Sequence, residues 1–235
     1  MNYKPLKTIF TFDSESILLE YQRILKRYDA VTSFSKGYVD YLKTKPDVAA
    51  ALLKLRIRTP SFGILSGFFD PERGISIPQS YSKSAQQGKE VCKRRLCEKL
   101  GLKQNKPIFL VMCRMVNEKG IDHILDSISF FNENKASLVV IGVGEKEYEK
   151  RMVELAKQGK FIYIPRNFST AQIPSIISGA DFFLQPSTME SGGIMPLVAS
   201  NYGTIPIITL NGGLGDNFNS NNAIVIKDYA VRAAL

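Results

Sequence analysis

From Lys106 onward, uninterrupted apolar runs alternate with segments in which apolar residues return every three or four positions. "PIFLVMCRM", "SLVVIGVG", "FIYIPRN", "DFFLQP", "TIPIITL" and "NAIVI" have the length and β-branched content of strands buried on both faces. Between them lie the amphipathic stretches "GIDHILDSISFFNEN", "EKEYEKRMVELAKQ", "TAQIPSIISGA" and "GGIMPLVASNYG", which predict helices. Strands of this kind alternating with helices predict an α/β domain, a Rossmann-like doubly wound parallel sheet covered on both faces. In such sheets ligands bind in the loops beyond the carboxyl ends of the strands. The first half is less regular. Ser16–Lys26 has helical periodicity, "AVTSF" predicts a short strand, and Ser35 is placed to cap a helix running to Lys43. Arg58–Gly74 is rich in Pro and Gly and reads as loop with one short strand. Residues 83–100 read as helix.

Composition is that of a globular protein, with 44% hydrophobic and 23% charged residues. No window approaches the ~18 consecutive apolar residues of a membrane span, and the N-terminal stretch does not read as a secretory signal, so a soluble intracellular protein is expected. Three cysteines, Cys92, Cys97 and Cys113, have neither disulfide-framework nor zinc-site spacing and read as reduced thiols. The net charge of +9 admits two partners, nucleic acid or a phosphorylated small molecule. The densest basic run, Lys89–Lys99, comes without a nucleic-acid motif and reads as a solvated helix face.

Four strand-end loops carry unusual groups. Arg114 and Lys119 follow the first strand of the regular half, beside Gly120 and a helix start. A guanidinium fork, an ammonium and free helix N–H groups together suit a diphosphate. Gly142 and Gly144 follow the second strand, where a ligand can approach bare backbone. Glu190, Ser191, Gly192 and Gly193 follow the fourth strand, and Gly212 and Gly213 the fifth. Singly, each has a plainer reading: a surface charge, a carboxylate complementing a helix N-terminus, a turn. Together they line the ligand-binding edge of the predicted sheet.

"CRMVNEKGIDHIL" resembles the segment S-R-L-x-x-x-K-G-L-D-L of bacterial glycogen synthases and plant starch synthases. "PSTMESGGIMPLVASNYGTIPIITLNGGLGDNF" is similar to that family's P-S-R-F-E-P-C-G-L segment and the Y-G-T-x-P-I-V and T-G-G-L stretches after it. "GILSGFFDPERG" and "CKRRLCEKLGL" resemble its weaker connecting segments, so the likeness runs from about Tyr28 to the C-terminus. The resemblance implies a two-lobed GT-B architecture. Residues 1–60 would be the end of the N-terminal acceptor lobe, 61–105 a linker and helix, and 106–235 the nucleotide-sugar-binding domain, incomplete at its C-terminus. It also implies residue roles. Arg114 and Lys119 would hold the donor diphosphate, Glu190 the glucosyl unit, and Phe168 would stack on the base. Gly142, Gly144, Ser191, Gly192, Gly193, Gly212 and Gly213 would complete the donor site.

The implied reaction is transfer of glucose, with retention, from a nucleotide-diphospho-glucose to an α-1,4-glucan. ADP-glucose is the favoured donor and UDP-glucose the alternative. No metal or other cofactor is expected, and neither membrane nor nucleic acid as a partner. The cytoplasm is the expected compartment, or a plastid in a eukaryote. The glucan would be met through an acceptor lobe that this chain lacks, so the isolated chain is expected to be inactive. Several positions depart from the family pattern. Thr188 stands for its Arg, Ser191-Gly192 for Pro-Cys, Pro196 and Val198 for Gln and Tyr, and Phe168 for a stacking Tyr. Val198 also stands where related E-x7-E transferases carry a second Glu. The single histidine, His123, reads as a helix residue and not a catalyst. Three other readings compete: a non-catalytic nucleotide-sugar-binding module, a dinucleotide enzyme, and a nucleic-acid binder resting on the +9 charge. The dinucleotide enzyme would need G-x-G-x-x-G where "CRMVNEKG" stands.

Overall fold

The computed structural model describes residues 9–12, 28, 30–53, 55–59, 63–64, 67–133, 135–159, 161–166 and 169–227. The helix expected at Ser16–Lys26 lies outside these residues, as does Phe168. Contacts divide the chain into two compact units: Met1–Gly63 with Met189–Gly193 and Leu210–Phe218, and Ile64–Thr188 with Ile194–Thr209 and Asn219–Leu235.

The smaller unit contains a parallel sheet of β1 (Ile9–Phe12), β2 (Ala30–Ser33) and β3 (Ile57–Arg58), in that order. Helices α1 (Lys36–Leu42) and α2 (Pro46–Leu52) join β2 to β3. Ser35 caps α1 as its sequence position predicts, its Oγ accepting from the Tyr38 N–H at 3.0 Å. Val31, Val39, Leu42, Val48 and Leu52 form this unit's core, with Met189 packed against them.

The larger unit is the doubly wound domain. Helix α3 (Gln87–Leu100) leads in and stops at Gly101, whose φ of 68° is the left-handed conformation that ends helices. Six parallel strands follow: β4 (Ile108–Met112), β5 (Ser137–Ile141), β6 (Ile162–Ile164), β7 (Phe182–Gln185), β8 (Ile205–Ile208) and β9 (Ile224–Val225). Their order in the sheet is β6-β5-β4-β7-β8-β9. This is the Rossmann order, with the topological switch point between β4 and β7. Every residue of β4 and β5 is buried, as continuous apolar runs require.

The two-residue period of the strands divides the core. Ile108, Leu110, Met112, Val139 and Ile141 face Cys92 and Leu96 of α3, and the helices α7 (Ile173–Ile177) and α8 (Ile194–Asn201). Phe109, Val111, Leu138 and Val140 face α4 (Ile121–Asp126), α5 (Ile128–Glu133) and α6 (Lys146–Lys157). A buried aliphatic side chain contributes about 1.5–3 kcal/mol, so these two layers hold most of the unit's stability.

Two expectations need correction. The single helix over 120–134 is two, α4 and α5, separated at Ser127, whose Oγ donates to the Ile124 carbonyl at 2.8 Å. The basic run Lys89–Lys99 is only partly a solvated face. Arg94, Arg95 and Lys99 are exposed, but Lys89 and Lys93 turn inward. Lys93 pairs with Asp181 at 2.7 Å, and the same carboxylate oxygen accepts the Ile108 N–H at 2.7 Å. Spacing of four residues puts both lysines on one helix face, and that face meets acceptors clustered at the amino ends of the strands. A further short helix, α9 (Leu214–Asn217), lies in the smaller unit within a segment that reads as loop. All three cysteines are free thiols, Cys92 and Cys97 buried.

Candidate functional site

In the larger unit, the loop after β4 is welded to the loops after β5 and β7. The Cys113 N–H donates to the Ile141 carbonyl at 3.3 Å, Met115 N–H to Val143 O at 2.9 Å, and Glu145 N–H to Met115 O at 2.8 Å. On the other side, the Thr188 N–H donates to the Glu118 carbonyl at 2.9 Å, and Thr188 Oγ1 approaches it at 3.3 Å. Asn117–Lys119 forms a 3₁₀ turn closed by Gly120, whose N–H donates to Asn117 O at 2.9 Å. Gly120 has φ 69°, and a Cβ there would run into the Pro186 carbonyl. Arg114 and Lys119, the two predicted diphosphate ligands, are therefore carried by a backbone held on both flanks of the switch point.

Arg114 is exposed and pairs with Glu118 at 2.9 Å, the side chains being 70% and 49% accessible. A pair so exposed is worth about 0–1 kcal/mol, so an incoming anion could displace the carboxylate at little cost. Lys119 is half-buried.

Gly142 and Gly144 are needed first by the protein itself. A Cβ on Gly142 would strike the Cys113 carbonyl, and one on Gly144 the backbone of Met115. Their loop is also braced from α6 and β6. The Gly144 N–H donates to Glu149 Oε1 at 2.6 Å, and Tyr163 Oη donates to Gly142 O at 3.0 Å. Burial, then the Glu149 charge, pushes the Tyr163 hydroxyl up to about 12. From α6, Tyr148 Oη donates to Asp122 Oδ2 at 2.7 Å and Arg151 Nη1 to Asp122 Oδ1 at 2.8 Å. The Tyr148 bond, aided by Arg151 and opposed by burial, holds Asp122 below the usual carboxylate range. The same bond pushes Tyr148 up to about 12. Sequence reading missed this brace. The available signal was Tyr148 on the same face as Met152, four residues on, where a buried tyrosine needs a hydroxyl partner.

The remaining predicted residues lie in the smaller unit. The Gly213 N–H donates to the Glu190 carbonyl at 2.7 Å, and Ser35 Oγ donates to the Ser191 carbonyl at 2.6 Å. Asp216 of α9 accepts the N–H groups of Lys36 and Gly37 at 2.7 and 3.0 Å, capping α1. Gly212 and Gly213 would each place a Cβ against this backbone, and Gly193, at φ 68°, against Leu214. Gly192 differs: a Cβ there meets only Phe34 at 3.6 Å, an ordinary contact. The Glu190 side chain is half-buried. His123 sits on α4, half-buried. Among the described residues no three His, Cys, Asp or Glu side chains form a group able to hold a metal ion. Nor is any helix among them long and apolar enough to cross a membrane.

A family model described as "Glycosyl transferases group 1" matches residues 93–234. The glycogen synthase of Opitutus terrae is 32% identical over 198 residues, covering 80% of this chain and 41% of that protein. The glycogen synthase of Vibrio parahaemolyticus is 30% identical over 202 residues, covering 81% and 41%. The chain thus spans about two fifths of the length of these curated relatives. Among solved structures, the catalytic domain of starch synthase IV from Arabidopsis thaliana, bound to ADP and acarbose, superposes with a TM-score of 0.76 at 21% identity. That match covers 88% of this chain and 47% of the other. Anabaena HepE in complex with UDP and glucose gives 0.66 at 14% identity, covering 95% and 58%. These structural neighbours share the GT-B fold, in agreement with the architecture expected from the sequence.

Proposed function

The chain belongs to the group 1 glycosyl transferases, and from that premise we propose that it is the donor-binding part of a glycogen- or starch-synthase-type glucosyltransferase. The proposed reaction moves glucose from a nucleoside diphosphate to the end of an α-1,4-glucan with retention. ADP-glucose is the preferred donor. Sequence likeness to glycogen synthases and the ADP bound by the starch synthase neighbour support that preference.

The observation that carries the reading is the placement of Arg114 and Lys119 on one rigid loop at the switch point of a Rossmann-order sheet. Departure of the diphosphate builds negative charge on its bridging oxygen while positive charge grows on the sugar. Arg114 would exchange Glu118 for the phosphate oxygens, and Lys119 would add a second positive charge. Donors that are held in place when the charge develops are worth roughly 3–4 kcal/mol each to a transition state, and the rigid loop backbone brings both side chains to the switch point. On this reading the two side chains supply the neutralising charge and no resident cofactor is required. Glu190 would accept hydrogen bonds from glucosyl hydroxyls, and Phe168 would stack on the base.

Calorimetric titration with ADP, UDP, their glucose conjugates and the free nucleosides tests the reading. Arg114→Ala and Lys119→Ala should each weaken diphosphate binding about 10- to 100-fold, the loss of one charge-assisted hydrogen bond, while nucleoside binding holds. Equal losses for nucleoside and diphosphate would reject the assigned roles. Tighter binding of UDP than of ADP would move the donor assignment.

A further inference from the structure

At the amino-terminal ends of β7 and β8, the edge of the sheet opposite the loops above, the larger unit contains a cavity of about 480 Å³. Asp70, Glu72, Tyr81, Lys83, Gln86 and Lys89 are among its lining residues. Its size falls in the range of small-molecule sites.

The wall is firmly built. Lys89 Nζ donates to Tyr202 O at 2.9 Å, Ala180 O at 3.0 Å, Thr204 Oγ1 at 3.1 Å and Ser178 O at 3.3 Å. Tyr81 Oη also donates to Tyr202 O, at 2.9 Å. Asn201, at the rim, donates to the Phe69 carbonyl. The groups left for a ligand lie on the exposed side. Among the described residues the Glu72 carboxylate and the Lys83 ammonium have no ion-pair partner. Gln86 uses its Nε2 on Lys83 O at 3.3 Å, which leaves its Oε1 open.

The charges decide the ligand class. Asp70 is engaged by Arg73 at 3.5 Å and Lys89 by the wall, so one open carboxylate, Glu72, stands against one open ammonium, Lys83, and the lining favours neither an anion nor a cation. Tyr81 and Pro71 line the same cavity and offer apolar surface. A neutral polyol fits this lining: its hydroxyls donate to the Glu72 carboxylate and Gln86 Oε1 and accept from the Lys83 ammonium, and its C–H faces cover ring and proline. We propose that this cavity is a second carbohydrate site, which takes a short stretch of neutral α-glucan away from the donor loops. The proposal rests on the reading that the acceptor is a glucan. A second hold on the same polymer raises its effective concentration at the enzyme without any new contact at the reacting end.

The test titrates the full chain and its Glu72→Ala/Gln86→Ala variant with maltoheptaose, and both with ADP and UDP. Both substituted side chains are exposed, and a matched thermal midpoint checks that the variant folds. The expected result is maltoheptaose binding that weakens at least fivefold in the variant, with nucleotide affinity unchanged. Equal maltoheptaose affinity in the two proteins overturns the proposal. So does absence of maltoheptaose binding to a chain that still binds nucleotide, which leaves the donor-site reading standing. A chain that binds neither overturns both.

Discussion

Lys89 gives the sharpest quantitative test of the fold. Its ammonium donates to oxygens from four segments: the end of α7, the turn before β7, the end of α8 and the start of β8. Burial pushes its pKa down from 10.5 to about 8, against the raising effect of Asp181. At 1.36 kcal/mol per pH unit, that gap corresponds to about 3 kcal/mol. The sign follows from proton counts. Between pH 8 and 10.5 the folded chain has released this proton while the unfolded chain still holds it. Unfolding free energy therefore rises with pH across that window, and below pH 8 the contribution is absent. Lys89→Met keeps most of the stem and removes the proton. It orphans the Ser178 carbonyl and leaves Ala180 O sharing the single Thr204 hydroxyl proton with Ile177 O, whereas Tyr202 O keeps Tyr81. The difference at pH 7 mixes that loss with relief of a buried charge, but its change with pH isolates the titration. Urea unfolding of both proteins at pH 7, 8, 9 and 10 should show the difference moving by about 2–3 kcal/mol in favour of wild type as pH rises. Parallel curves, with a constant difference, would refute the burial argument.

Gly120 and Gly101 share a φ near 68°, but only Gly120 faces a blocking carbonyl, that of Pro186. Gly101→Ala should cost about 1–2 kcal/mol for the left-handed backbone, and Gly120→Ala about 1–3 kcal/mol more; equal losses in urea unfolding would refute the close approach of the two loops. Phe168→Ala should lower nucleotide affinity by about 1–3 kcal/mol in calorimetry if the ring stacks on the base, and unchanged affinity in a folded variant would show that it does not.

The strands were legible because burial on both faces leaves a local mark: five apolar residues in succession at Ile108–Met112. The break between α4 and α5 leaves none. Ile121, Ile124, Leu125, Ile128 and Phe131 are all buried, so the apolar period runs straight across Ser127, and only the hydroxyl bond to Ile124 O betrays the interruption. Strand β1 and helix α2 went unread because each is short and its neighbourhood mixed; Pro46 at the first turn of α2 was the available start signal. At the candidate site the loops were legible, since a parallel sheet dictates which ends carry ligands. Which partner each glycine serves was not. Gly120 meets Pro186, Gly142 meets Cys113 and Gly212 meets Glu190, contacts made across distant stretches of chain. Lys89 shows the same limit from the polar side. A lysine in a basic run reads as surface because water is the best local partner for an ammonium. What draws this one inward is a set of oxygens gathered by turns at four separate segments, residues 178, 180, 202 and 204. Those acceptors lie about ninety or more positions from Lys89, so the feature is a property of the packed sheet edge, and no window along the chain contains it.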